Sequence, residues 1–171
     1  LSLFFDLLKG YYVSKRLRCL SLYGDPPVNR INRKTDYAVR ILLALARRGE
    51  GAIASTLTIR EEMLLPAALT RRIVADLARG GFLVTYPGRD GGIQLARPPR
   101  EITLLQVVEF FEGPVHVSEC IEGKVECPFE LHCPVRRQWA RVDQAIVKIL
   151  SEISFADLAE ESIPEGVSLN S

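Results

Sequence analysis

A chain of 171 residues with 47% hydrophobic side chains can bury a real core, either as one domain or as a domain with an appendage. Its N-terminal run Leu1-Ser-Leu-Phe-Phe-Asp-Leu-Leu is broken by Lys9 and Gly10 too soon to span a bilayer, and no small-residue cleavage site follows, so a cytoplasmic chain with no membrane partner is expected. The net charge of +1 hides an asymmetry: residues 29–100 carry 13 Lys/Arg against 6 Asp/Glu, residues 101–171 carry 5 against 13, and the basic half therefore suits a polyanion.

Residues 1–30 read as an appendage, with an apolar patch, a basic run (Lys15, Arg16, Arg18), the isolated Cys19 and the breaker Gly24-Asp-Pro-Pro27. Because the chain opens on Leu, the biological start is expected near Val28, with the preceding segment disordered or a start-site error. From Lys34 to Arg48, Ala38, Ile41, Leu42, Leu45 and Ala46 recur at helical spacing until Gly49 stops them. Ser55 or Thr56 can cap a second helix through Met63. Leu65-Pro66 makes a turn, and Ala67 to Arg79 forms a third helix ended by Gly80-Gly81. Three short helices joined this tightly fit a helix-turn-helix.

Phe82 to Tyr86 and Ile93 to Ala96 then read as two strands around the turn Pro87-Gly-Arg-Asp-Gly-Gly92, a β-hairpin wing, so residues 31–100 form a winged helix-turn-helix domain. After Pro98-Pro99, Thr103 and Gln106 make a capping box for a helix through Glu112, and a cysteine-bearing loop completes a connecting segment, 101–133. A long helix follows from Pro134 to about Ser151, with Val135, Trp139, Val142, Ile146, Ile149 and Ile153 at alternating steps of four and three. That repeat keeps one seam against a partner helix and predicts dimerisation; the alternative is packing on its own domain. Ser154 caps a short last helix over Phe155 to Glu161 that closes segment 134–162, before a tail, 163–171. The fold class is mainly α with a small β-hairpin: a winged helix-turn-helix domain plus a long dimerisation helix.

Cys120, Cys127 and Cys133 lie within fourteen residues, spaced C-x6-C-x5-C. Thiols this dense hold a metal or cluster, form disulfides or meet an oxidant, and a cytoplasmic location disfavours disulfides. Zinc sites commonly use cysteines two to four residues apart, whereas wider gaps suit thiolates spread around an iron-sulfur core. Nothing suggests an enzyme: there is no Ser-His-Asp set, no phosphate loop and only two histidines. On the third helix, Ala67, Ala68, Thr70, Arg71 and Arg72 suit contact with base edges in the major groove. Lys34, Arg40 and Arg60 suit phosphate, and Arg89 at the hairpin tip suits the minor groove.

Lys34-Thr-Asp-Tyr-Ala-Val-Arg40, Gly80-Gly-Phe-Leu, Gly88-Arg-Asp-Gly-Gly92, Ile102-Thr-Leu-Leu and three spaced cysteines occur in that order. Over residues 30 to 162 the chain resembles the bacterial winged-helix iron-sulfur regulators of the NsrR and IscR type, closer to the NsrR-like members that sense nitric oxide. The resemblance implies a homodimeric repressor on a partly palindromic double-stranded DNA operator, with a cluster that responds to nitric oxide or redox state. A 4Fe-4S cluster is expected over 2Fe-2S, held by Cys120, Cys127, Cys133 and a fourth donor. IscR-like members place a histidine after the third cysteine, but Pro134-Val-Arg-Arg137 has none. NsrR-like members use an aspartate opening the first helix of the other subunit, which Asp36 matches. Thr35 or Asp36 as a plain helix cap is the alternative, and His132 and His116 are rival ligands. The first cysteine spacing is six where the family commonly has five, and Pro87 stands where a basic wing residue is usual, which shifts the wing contact to Arg89. Other readings are a regulator of iron or cluster supply on the same fold, a zinc-stabilised DNA binder without sensing, and an electron-transfer protein.

Overall fold

A computed structural model describes residues 31–88, 91–123, 127 and 132–161; the appendage with Cys19, the wing-tip Arg89 and the tail lie outside the described residues. Helix α1, Arg33–Ala46, begins where the Asn32 side chain accepts the Thr35 amide at 3.0 Å, satisfying one of the N–H groups that every helix start leaves over. The cap is therefore Asn32, neither Thr35 nor Asp36, because only a residue before the first turn can fold its side chain back onto it. Ala38, Ile41, Leu42 and Leu45 line the buried face.

Ser55 caps α2, Thr56–Glu62, and α3 spans Ala67–Arg79, as the sequence pattern predicts. Between them Leu64 takes a left-handed φ of 52° and is 84% exposed, so this turn spends backbone strain and buries nothing there. Ile59, Leu65, Ile73 and Leu77 carry the two helices onto α1 in one core. Strands β1, Leu83–Tyr86, and β2, Gly92–Leu95, pair antiparallel with Leu83 opposite Leu95. Ala54 exchanges both backbone bonds with Ile93, at 3.0 and 2.8 Å, which fastens the wing to the loop before α2. Gly92 permits this, since a Cβ there would stand 2.4 Å from the Ala54 carbonyl oxygen.

After a 3-10 turn at Pro99–Glu101, α4, Leu104–Glu112, starts with the expected Thr103/Gln106 capping box. The cysteine segment is not all loop: Glu119–Glu122 forms a single turn, α5, that contains Cys120. Helix α6 runs Pro134–Glu152, and α7, Phe155–Glu160, is capped reciprocally by Ser154 and Asp157. The Ser154 hydroxyl, then its amide, hold the Asp157 carboxyl below its usual range. That contribution is present above the unfolded-state value and is lost only as pH falls through the lower folded one, well into acid.

The chain returns to the winged part after α6, with Leu104 N–H on the Ile153 carbonyl at 3.0 Å and Phe155 N–H on the Ile102 carbonyl at 2.9 Å. Phe155 is wholly buried with Ile102, Val107 and the α1 face, so among the described residues α4 and α7 share the core of the winged helices. Phe155→Ala is expected to cost about 3–5 kcal/mol in chemical denaturation, transfer loss and cavity together.

Candidate functional site

The start of α2 and the start of α3 enclose an open groove of about 650 Å³ lined by Thr56, Leu57, Arg60, Ala67, Ala68, Thr70 and Arg71. Ala67 and Ala68 are exposed on the first turn of α3, where a small side chain lets a backbone approach base edges. Arg71 and Arg72 are exposed one turn further, and neither has an ion-pair partner among the described residues. Thr70 does not join them. It is only 2% exposed and its hydroxyl donates to the Pro66 carbonyl at 2.9 Å, so it ties down the helix start.

Lys34 is also reassigned. Its Nζ lies 2.7 Å from Asp76 Oδ2 and 5.0 Å over the Phe111 ring, pinning the start of α1 to the buried Asp76 of α3, which Arg79 also meets. An ammonium held this way is not a loose phosphate contact. Lys34→Ala is expected to lower stability by about 1–2 kcal/mol in urea denaturation, below the value for breaking a fully buried pair because Lys34 is partly exposed and Arg79 remains. Arg60 sits on the groove wall, 3.4 Å from Glu61.

The first turn of α1 is clamped by Glu112 from the end of α4. Its carboxylate accepts the Asn32 N–H at 3.0 Å and the Asn32 side-chain amide at 2.8 Å, and the Thr35 hydroxyl bonds it too. A negative charge here also suits the helix dipole. Asp36, relieved of capping, is partly exposed and pairs with Arg40 at 2.9 Å. Arg40 is thus shared between Asp36 and any phosphate role. An exposed i,i+4 pair is worth about 0.3–0.5 kcal/mol, so Asp36 can leave it at little cost.

Cys120, Cys127 and Cys133 are free thiols, each half-buried. Cys133 occupies the N-cap position of α6, and Cys120 Sγ lies 3.0 Å from the Ser118 hydroxyl. Among the described residues, no group of three or more His, Cys, Asp or Glu gathers as if around one ion, so Asp36 is not joined to the thiols within a single chain. Three accessible, soft and unbridged donors fit an iron-sulfur group by chemistry. His132 is exposed, while His116 bonds Asp143 through its Nδ1 at 2.9 Å.

Helix α6 presents its apolar row outward, with Val135 at 54% and Ile149 at 58% exposure, Trp139 and Val142 also exposed, and Ile146 and Ile153 half-buried. Among the described residues, four of the six side chains of the row are thus exposed and two are half-buried. Asn32, Asp76, Glu112 and Asp143 were not singled out by sequence. Asn32 has a readable signal, a capping residue three positions before Thr35, but the partners of Glu112 and Asp143 lie far off in sequence, and Asp76 meets the distant Lys34 besides its neighbour Arg79.

Residues 31–161 match the Rrf2 family of iron-dependent transcriptional regulators. Protein aau3 of Rhizobium meliloti is 32% identical over 77% of this chain and 85% of its own. The HTH-type transcriptional regulator NsrR of Oceanobacillus iheyensis is 28% identical over 75% and 88%. The structure of CymR, the global cysteine regulator of B. subtilis, superposes with a TM-score of 0.66 at 25% identity, covering 78% of this chain and 98% of that one. T. potens IscR has the same fold, with a TM-score of 0.62 at 22% identity over 80% and 94%. No helix among the described residues is long and apolar enough to cross a membrane.

Proposed function

Starting from the fact that this chain belongs to the Rrf2 family of transcriptional regulators, we propose that it is a homodimeric repressor whose thiol segment holds an iron-sulfur cluster and senses nitric oxide or redox state. The observation that carries this reading is the set of three free, half-buried thiols between a winged reader and an exposed helical seam. Cys120, Cys127 and Cys133 would hold the group, 4Fe-4S in preference to 2Fe-2S, with Asp36 of the other subunit as the fourth, harder donor. When bound, the group supplies a centre that reacts with nitric oxide or changes oxidation state.

What the chain itself does is couple that corner to DNA. Asp36 stands two residues from Lys34, whose ion pair reaches Asp76 on α3, so a shift in the first turn of α1 is passed to the helix bearing Ala67, Ala68, Arg71 and Arg72. Two arrangements of this contact with different DNA affinity are all that linkage requires. Arg71 and Arg72 take base edges of a partly palindromic operator, Arg40 and Arg60 its phosphates, and Arg89 the minor groove. The family's description as iron-dependent supports a second reading, control of iron or cluster supply by the same device.

Anaerobic purification with iron and sulfide assay tests the cofactor, and operator release by nitric oxide tests the signal. Iron with sulfide and release by nitric oxide support the first reading. Iron with sulfide and release only on iron depletion favours the second, and zinc or no metal overturns both. Asp36→Ala is expected to keep the folded dimer but abolish release by nitric oxide; an unchanged cluster spectrum with unchanged release removes Asp36 from the mechanism.

A further inference from the structure

Asp143 is the one residue of α6 that is fully buried, at 6% exposure, and it is a carboxylate. Burying such a group is costly unless its oxygens are bonded, and both are. Oδ1 accepts the Val117 amide at 2.9 Å and Oδ2 lies 2.9 Å from His116 Nδ1. In the tautomer that carries a proton on Nδ1, the ring N–H donates and the carboxyl oxygen accepts. His116 and Val117 are the lead-in to the cysteine segment, and the next residue, Ser118, places its hydroxyl 3.0 Å from Cys120 Sγ.

The far end of that segment rests on the same helix, because Cys133 is the N-cap of α6. One rigid element therefore fixes both ends: Cys133 at its start and, ten residues or about 15 Å along its axis, the anchor for the lead-in to Cys120. The element is also the one that carries the exposed apolar row. Without Asp143, the hydrogen bonds from α6 to residues 116 and 117 would be absent.

We propose that Asp143, together with His116, is a positioning residue that sets Cys120 against α6 before any metal arrives, so that the thiol segment is measured out along the long helix. This deepens the proposed function, since it rests on Cys120 being a working thiol. Its test, however, uses the metal-free full chain and does not depend on a cluster.

The experiment follows iodoacetamide alkylation of each cysteine separately by peptide mass spectrometry. Removing a charge-assisted bond opens a local segment by about tenfold or more, so Asp143→Ala and His116→Ala are each expected to raise the Cys120 rate about tenfold over Cys127 and Cys133. His116→Asn, which puts an amide N–H where Nδ1 stood, is expected to restore the wild-type Cys120 rate. His116→Ala alters only a half-exposed loop side chain, so it keeps the test valid should Asp143→Ala not fold. An unchanged Cys120 rate in the alanine variants overturns the proposal. So does an equal rise at all three thiols, which would mean general loosening. If these rates behave as expected and the purified protein holds no iron and sulfide, the cluster reading fails and the positioning stands.

Discussion

Trp139→Asp combined with Ile149→Asp is expected to turn the protein into a monomer and to weaken operator binding by about 10²–10⁴-fold, because the second half-site is then no longer engaged intramolecularly. Trp139 and Ile149 are 42% and 58% exposed on α6, so aspartate costs the isolated fold less there than at a buried position. Across a paired seam, the same carboxylates would face apolar side chains without a partner, which costs several kcal/mol of association. Light scattering with a gel-shift titration checks both halves of the result. A variant that remains dimeric would assign the row to some other contact, and a monomer with full affinity would detach dimerisation from DNA binding.

Cys133→Ser is expected to be the most damaging change to the thiol segment, lowering retained iron by more than about tenfold and removing the response of DNA binding to nitric oxide. A serine hydroxyl does not ionise near neutral pH and is too hard a donor to replace a thiolate on iron bridged by sulfide. Serine is a good N-cap, so the start of α6 survives or gains, and the melting temperature of metal-free protein is expected to stay within about two degrees of wild type. Iron and sulfide analysis beside a thermal melt separates loss of a ligand from loss of fold. If iron is kept, Cys133 is not a ligand. If the melting temperature drops sharply, the cysteine serves packing instead.

Much of the fold was legible because its signals are local. Thr103 with Gln106, Gly80-Gly81 and the periodic apolar faces of α1 and α3 each act within one or two turns, and the corresponding elements appear within a residue or two of the expected bounds. The row on α6 was legible too, since a repeat of alternating four and three steps is a property of one helix. The site was less so. Thr70 looks like a base reader by position, yet it lies on the buried face of α3 and bonds back to Pro66 in its own helix. Lys34 looks like a phosphate contact by charge, yet the carboxylate that claims it lies on another helix, forty-two residues on.

The sequence by itself determined the order of elements, the basic half, the three thiols and the apolar row of the long helix, since composition and short-range spacing suffice for each. Only the tertiary structure decided which charges are spent and which remain for a partner. It gave Lys34 to Asp76, Glu112 to the first turn of α1 and Asp143 to the lead-in of Cys120. The physical reason is that a carboxylate takes whatever donor the packing of distant helices brings within 3 Å, and chain spacing carries no record of that encounter.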